Sequence, residues 1–140
     1  MTHEPKTDRI ERWVDLPVPA EQVWAVIGGF LSIVDWHPAL ESGELVDLEG
    51  ELHRHVKTTY GTMILEKLIE QKPGLIRTSV VESDLPLENH VDTLTCFDLP
   101  EGGCRVFWSA SFDSSSQQAD QIIANIFEIG LEALQKRFGG

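Results

Sequence analysis

Positive charge is scarce in this chain. Eleven Lys and Arg face 23 Asp and Glu, for a formal net charge of −12. Such a surface repels phosphate backbones and anionic lipid, which argues against nucleic acid or a membrane surface as partner. Long apolar runs are missing as well. No stretch approaches the roughly 20 residues of a membrane-spanning helix, and "MTHEPKTDRIERW" lacks the apolar centre of a secretory signal. The cytoplasm is therefore the expected compartment. Cysteine is limited to Cys96 and Cys104, expected there as reduced thiols rather than a disulfide framework. The chain has no glycine-rich phosphate loop, no serine in a nucleophile-elbow context, no internal repeat and no low-complexity segment. No cofactor is expected.

What is present suits one domain. The chain has 140 residues, 41% of them hydrophobic, enough for a single core without disulfides or a structural metal. Residues 1–8 read as a tail and 9–140 as the domain. "RIERWVDLP" reads as a first strand ending at Pro17. "VPAEQVWAVIGGF" reads as a short helix with Pro19 in its first turn and Val23, Val26, Ile27 and Phe30 on one face. Gly28 and Gly29 break it, and "FLSIVDW" forms a second short helix before Pro38. Strand-like segments follow: "ALESGELVDL", "ELHRHVKTTY", "TMILEKLIE", "LIRTSVVES", "NHVDTLTCFDL" and "CRVFWSASF". They are separated by turn signals too short for a crossover, so neighbours must pair antiparallel.

The C-terminal segment has another period. Ala119, Ile122, Ile123, Ile126, Phe127, Gly130, Leu131, Leu134 and Phe138 recur at helical spacing. Ser115 and Gln118 form a capping box, and Lys136 and Arg137 complement the helix dipole in the last turn. The fold class is therefore α+β: a curved antiparallel sheet, two short helices, and one long C-terminal helix over the concave face. A straight helix does not fill a curved sheet, so a cavity between them is expected.

The segments "VPAEQVWAVIGGFLSIVDWHPAL", "TTYGTMILEKL", "DLPLENHVDTLTC", "RVFWSASF" and the closing "GLEAL" carry a resemblance. From about Ile10 to Phe138 the sequence resembles the START-like SRPBCC superfamily, in particular its polyketide cyclase/dehydrase branch. The resemblance implies a helix-grip fold around an apolar pocket. Members include lipid carriers, cyclases, dehydratases and plant hormone receptors, so a fold is implied rather than one activity. Relatives of this branch often carry tyrosine where this chain has His90.

Strand parity places Val106, Trp108, Ala110 and Phe112 on one face, the more apolar one, assigned inward. Trp108 reads either as core or as ligand wall. In "TMILEKLIE" both faces are mixed, and the resemblance implies that Glu66 points inward. There it is either an acid–base group with a raised pKa or half of an ion pair with Arg54 or Arg77. His90 and Asp92 share a face with Leu94 and Cys96; two apart on one wall, they can support proton transfer, although such pairs also occur on solvated faces. His53 and His55 are two apart without further ligands at suitable spacing, so no metal site is expected. The resemblance places Trp36 and His37 beside one pocket opening, where they contact a ligand or, alternatively, plug the end of the core. Gly130 lets the helix approach the sheet or opens room for a ligand. Ile123 and Phe127 complete the expected lining with Trp108 and Phe112. A turn centred on Pro100 sets Cys96 directly opposite Cys104.

Three functions fit these residues. The first is binding of an apolar small molecule that is lipid-, polyketide- or aromatic-like. The second is a cofactor-free cyclase or dehydratase using Glu66, His90 and Asp92. The third is a protein-interaction module. An enzyme requires the titratable groups to converge on one point, whereas a binding protein does not.

Overall fold

Seven strands form one sheet in the order β1-β7-β6-β5-β4-β3-β2. They are β1 (Lys6–Leu16), β2 (Leu40–Leu48), β3 (Glu51–Thr58), β4 (Met63–Lys72), β5 (Leu75–Ser83), β6 (Leu87–Asp98) and β7 (Cys104–Ser114). All neighbours pair antiparallel. The helices are α1 (Ala20–Ile27), α2 (Ile33–Trp36) and α3 (Gln117–Phe138). This computed structural model describes residues 6–84, 87–114 and 117–139. Ser115 of the expected capping box lies outside the described residues.

Local chemistry accounts for the joints. The β2–β3 turn has positive φ at both Glu49 (54°) and Gly50 (80°), the two-residue geometry that matches strand twist. Pro19 stands at the N-cap of α1, one residue before the expected first turn, and the first free amide, Ala20 N–H, donates to Asp98 Oδ1 at 2.8 Å. Irregular register interrupts β4–β5 between Leu65 and Glu66 and between Leu68 and Glu70, and β6–β7 between Glu88 and Val91. Bulges bend strands and increase twist, which gives the sheet its concavity. They also explain why parity was mixed in β4: Ile69 and Val81, at the irregular positions, are turned out and are 47% and 49% exposed.

The concave face carries Val106, Trp108, Ala110 and Phe112, all buried, as parity predicted. Ala119, Ile123, Phe127, Leu131 and Leu134 of α3 pack into the same core. The helix lies against β1 and β7. The opposite limb of the sheet, β3 and β4, curves away from it, and the cavities described below open in that gap. No helix of the described residues is long and apolar enough to cross a membrane.

The β6–β7 hairpin departs from the expected register. Cys96 pairs with Val106 and Asp98 with Cys104, so the turn centres on Glu101, one residue later than expected. Leu99 N–H donates to Gly103 O at 3.0 Å and closes a longer loop. The two cysteines are therefore diagonal rather than opposed. Diagonal Cα positions lie roughly 7–8 Å apart, wider than the usual disulfide span, although the two thiols lean together within hydrogen-bond reach. Both are free and buried. Burial pushes the Cys96 thiol up to about 12 and raises that of Cys104, so neither is a ready nucleophile.

Candidate functional site

One row of inward side chains crosses the concave face, and cross-strand register assembles it. Arg54 pairs with Glu66, Glu66 with Val80, Thr78 with Asp92, and Asp92 with Ala110. At the Glu88–Val91 bulge Asn89 adopts φ 53°, and beyond it His90, Asp92, Leu94 and Cys96 alternate inward. Glu66, His90 and Asp92 thus line one chamber of about 50 Å³, together with Trp108 of β7 and Ile123, Ile126 and Phe127 of α3. All three expected acid–base residues therefore border the same space.

Their chemistry differs from expectation at Glu66. Burial alone would raise its pKa, but the Arg54 guanidinium more than offsets this and holds the carboxyl below its ordinary range. Arg54 Nε donates to Glu66 Oε1 at 3.0 Å, and Thr78 Oγ1 donates to Oε2 at 3.2 Å. Arg54 also donates from Nη1 to Phe30 O and stacks on the Phe30 ring at 4.6 Å. Glu66 is therefore an ionised half of a buried ion pair, not a proton-carrying acid.

The raised carboxyl is Asp92, pushed up to about 8 by burial first and by the nearby Glu66 charge second. Trp108 Nε1–H donates to Asp92 Oδ1 at 2.6 Å, which leaves Oδ2 to carry the proton. His90 Nε2 lies 4.0 Å from that oxygen. His90 Nδ1 accepts from Val80 N–H at 3.1 Å, so the neutral ring carries its proton on Nε2. Burial lowers the His90 pKa, partly countered by Glu66.

Outside this chamber, toward the end of the sheet where β3 turns into β4, lies a larger apolar cavity of about 270 Å³. Its walls include Leu40, Thr58, Tyr60, Ile64, Ile122 and Ile126. Leu40, Ile64 and Ile126 belong to both spaces, so the two adjoin. A smaller recess of about 20 Å³ adjoins the chamber, bounded by Trp36, Arg54, Thr78, Asp92 and Trp108 among others.

The expected ligand residues divide. Trp108, Ile123 and Phe127 line the chamber and Trp36 lines the recess. Phe112 is 1% exposed and packs beside the His90 ring, behind the cavity wall. Trp36 and His37 are not at a rim; they are 6% and 2% exposed. His37 Nε2–H donates to Ile126 O at 2.7 Å and Nδ1 accepts from Ala39 N–H at 3.1 Å, so both nitrogens serve the fold. Burial lowers its pKa. Gly130 explains this contact: an added Cβ would lie 2.6 Å from His37 Cδ2 and 3.0 Å from the Trp108 ring. The glycine brings helix and sheet together rather than opening space.

Sequence reasoning missed the outer cavity and its residues. One signal was available: Ile122, on the apolar stripe of α3, is 37% exposed because its side of the helix faces the gap. No cluster of three or more potential metal ligands occurs among the described residues. His53 bonds Glu51 O at 2.9 Å, while His55 lies 3.9 Å from Glu44.

Comparison with known proteins places this architecture. Residues 7–139 match the family described as polyketide cyclase/dehydrase and lipid transport. The protein XoxI from Bacillus cereus is similar over 93% of this chain and 94% of its own, at 29% identity and a TM-score of 0.85. An uncharacterised protein from Bacillus thuringiensis is similar over 95% of this chain and 100% of its own, at 28% identity and a TM-score of 0.85. The ZhuI aromatase/cyclase from Streptomyces sp. R1128 shares the fold, with 14% identity, a TM-score of 0.68, and coverage of 94% of this chain and 96% of its own. No curated protein sequence matches the chain. With nearly the whole chain matched, the protein belongs to the polyketide cyclase/dehydrase and lipid transport family.

Proposed function

We propose that the protein binds an apolar small molecule in the gap between α3 and the β3–β4 limb of the sheet. The observation that carries this reading is the apolar cavity of about 270 Å³ adjoining a smaller chamber whose wall includes Arg54, Glu66, His90 and Asp92. An apolar cavity of about 150 Å³ accommodates a benzene ring, so this one suits roughly two rings or an equivalent acyl chain. Burial of that surface supplies affinity, and the chamber supplies orientation. Titration with an environment-sensitive apolar dye, followed by displacement with acyl and aryl compounds of graded size, tests the reading. Saturable binding at one site per chain is expected; a protein that binds neither dye nor competitor contradicts it.

Asp92 favours a second reading, a cyclase or dehydratase in which its proton is given to a departing hydroxyl or a developing enolate. An acid alone is half of such a mechanism. Glu66 is held by Arg54 and Thr78, and the His90 lone pair is occupied by Val80 N–H. With no free base beside the acid, the arrangement supports binding ahead of catalysis.

A further inference from the structure

The Trp36 indole N–H is buried without a hydrogen-bond partner among the described residues, on a side chain that is 6% exposed. Such orphans are rare because a desolvated donor without an acceptor is costly. Trp36 borders the recess of about 20 Å³. That volume holds a single oxygen-sized group and little more. The groups around it are rich in donors. The indole N–H can only donate, and so can the Arg54 guanidinium. The Trp108 N–H is already used by Asp92. Asp92 and Thr78 carry acceptor oxygens on the same wall, yet neither is hydrogen-bonded to the Trp36 N–H, which still lacks an acceptor. The recess has no need of a negative charge, because Arg54 is already neutralised by Glu66 at 3.0 Å. Its position is also informative. It shares Ile33, Arg54, Asp92 and Trp108 with the chamber, and the chamber shares Leu40, Ile64 and Ile126 with the outer cavity. The three spaces therefore adjoin in series, with the recess farthest from the outer cavity.

We propose that the recess receives a neutral acceptor oxygen, a ketone or ester carbonyl, at the leading end of the apolar ligand, with Trp36 Nε1–H as its donor. This rests on the binding reading above and adds ligand polarity and direction: carbonyl end at Trp36, hydrocarbon end between Ile122 and Ile64. The arrangement discriminates a carbonyl compound from a hydrocarbon of the same shape, because only the former satisfies the buried N–H.

The test uses methyl nonyl ketone and its methylidene analogue, in which a carbon replaces the carbonyl oxygen. Both displace the apolar dye from the wild type and from Trp36→Phe. The ratio of the two affinities within each protein is compared between proteins, so that differences in water solubility cancel. A preference for the ketone about tenfold greater in the wild type than in Trp36→Phe is expected, the size of one buried hydrogen bond. Nitrogen–proton correlation spectra of the wild type give an independent readout if the variant does not fold: the ketone shifts the Trp36 indole resonance downfield and the analogue does not. An unchanged ratio, or the same indole shift with both probes, overturns the inference and assigns the recess to a resident water. Binding of neither probe overturns the apolar-ligand reading and this inference together.

Discussion

The outer cavity and the inner chamber adjoin, yet they are held open by different means. The outer space is walled by Ile64, Ile122, Ile126 and Leu40 and is open to solvent, so little fixes its contents except shape. The inner space is smaller and contains Arg54, Glu66, His90 and Asp92, each placed by register and held by named partners. The difference teaches where affinity and where selectivity reside. Apolar walls reward any hydrocarbon in proportion to area, whereas buried polar groups penalise a wrong partner by leaving a donor or charge unmet.

The ion pair is the most sensitive point of the inner region. Arg54→Met leaves Glu66 buried without its cation, and a loss of about 3–5 kcal/mol is expected by chemical denaturation. Arg54→Met with Glu66→Leu should recover much of it, since no unpaired charge remains. A double variant as unstable as the single one would show that the pair does not act as a unit.

The same region dictates a pH profile. His37 and His90 have pKa values lowered from 6.5, so the unfolded chain takes up their protons first and stability falls as pH drops below about 6.5. Asp92 acts in the opposite sense: raised from 3.8 to about 8, it keeps its proton in the folded state over a range where the unfolded carboxyl has lost it. Its contribution is complete below that range and is lost as pH rises to about 8. Two histidine protons outweigh one carboxyl proton on the acid side; Asp92 dominates up to about pH 8, and the two raised thiols continue the decline above 9. Stability should therefore peak near pH 6.5 and decline above it by about 1.4 kcal/mol per unit. Asp92→Asn, which still accepts from Trp108, should flatten the alkaline arm and steepen the acid arm in pH-dependent denaturation, because the proton that opposes the two histidines is gone.

Much of this architecture was legible in the sequence because periodicity encodes it. The stripe from Ala119 to Leu134 and the alternation from Val106 to Phe112 each report one buried face. The site was less legible. Bulges shift register by one residue, and parity cannot be carried across the irregular pairs beside Glu66 or Asn89. The roles of the two carboxyls were also hidden. Which one ionises depends on Arg54 standing directly across from Glu66, a cross-strand fact, while Asp92 meets an indole N–H and a neutral His90 ring but no hydrogen-bonded cation. The cysteine register failed for a related reason: two glycines after Glu101 lengthen the turn, and Gly102 and Gly103 both take positive φ.

The contact between α3 and the two helix-end aromatics gives a smaller effect. Gly130→Ala adds a Cβ 2.6 Å from His37. Overpacking of this kind costs about 1–3 kcal/mol, against about 1 kcal/mol of improved helix propensity. A net loss of stability is expected, with the His37 ring signals perturbed. In the outer cavity the order reverses. Ile122→Ser should change stability by no more than about 0.5 kcal/mol, as for an exposed side chain, yet weaken apolar-dye binding several-fold. Equal effects on stability and binding would erase the distinction between the two regions.

The central claim is that an apolar molecule enters between α3 and the β3–β4 limb. Backbone amide mapping by nuclear magnetic resonance during titration with methyl nonyl ketone tests it most directly. Saturable shifts at Leu40, Thr58, Ile64, Ile122 and Ile126, continuing inward to Asp92, are predicted. Shifts confined to the opposite face of the sheet, around the exposed Trp13 and the Phe107 ring stacked on it, or no saturable shifts at all, would contradict it.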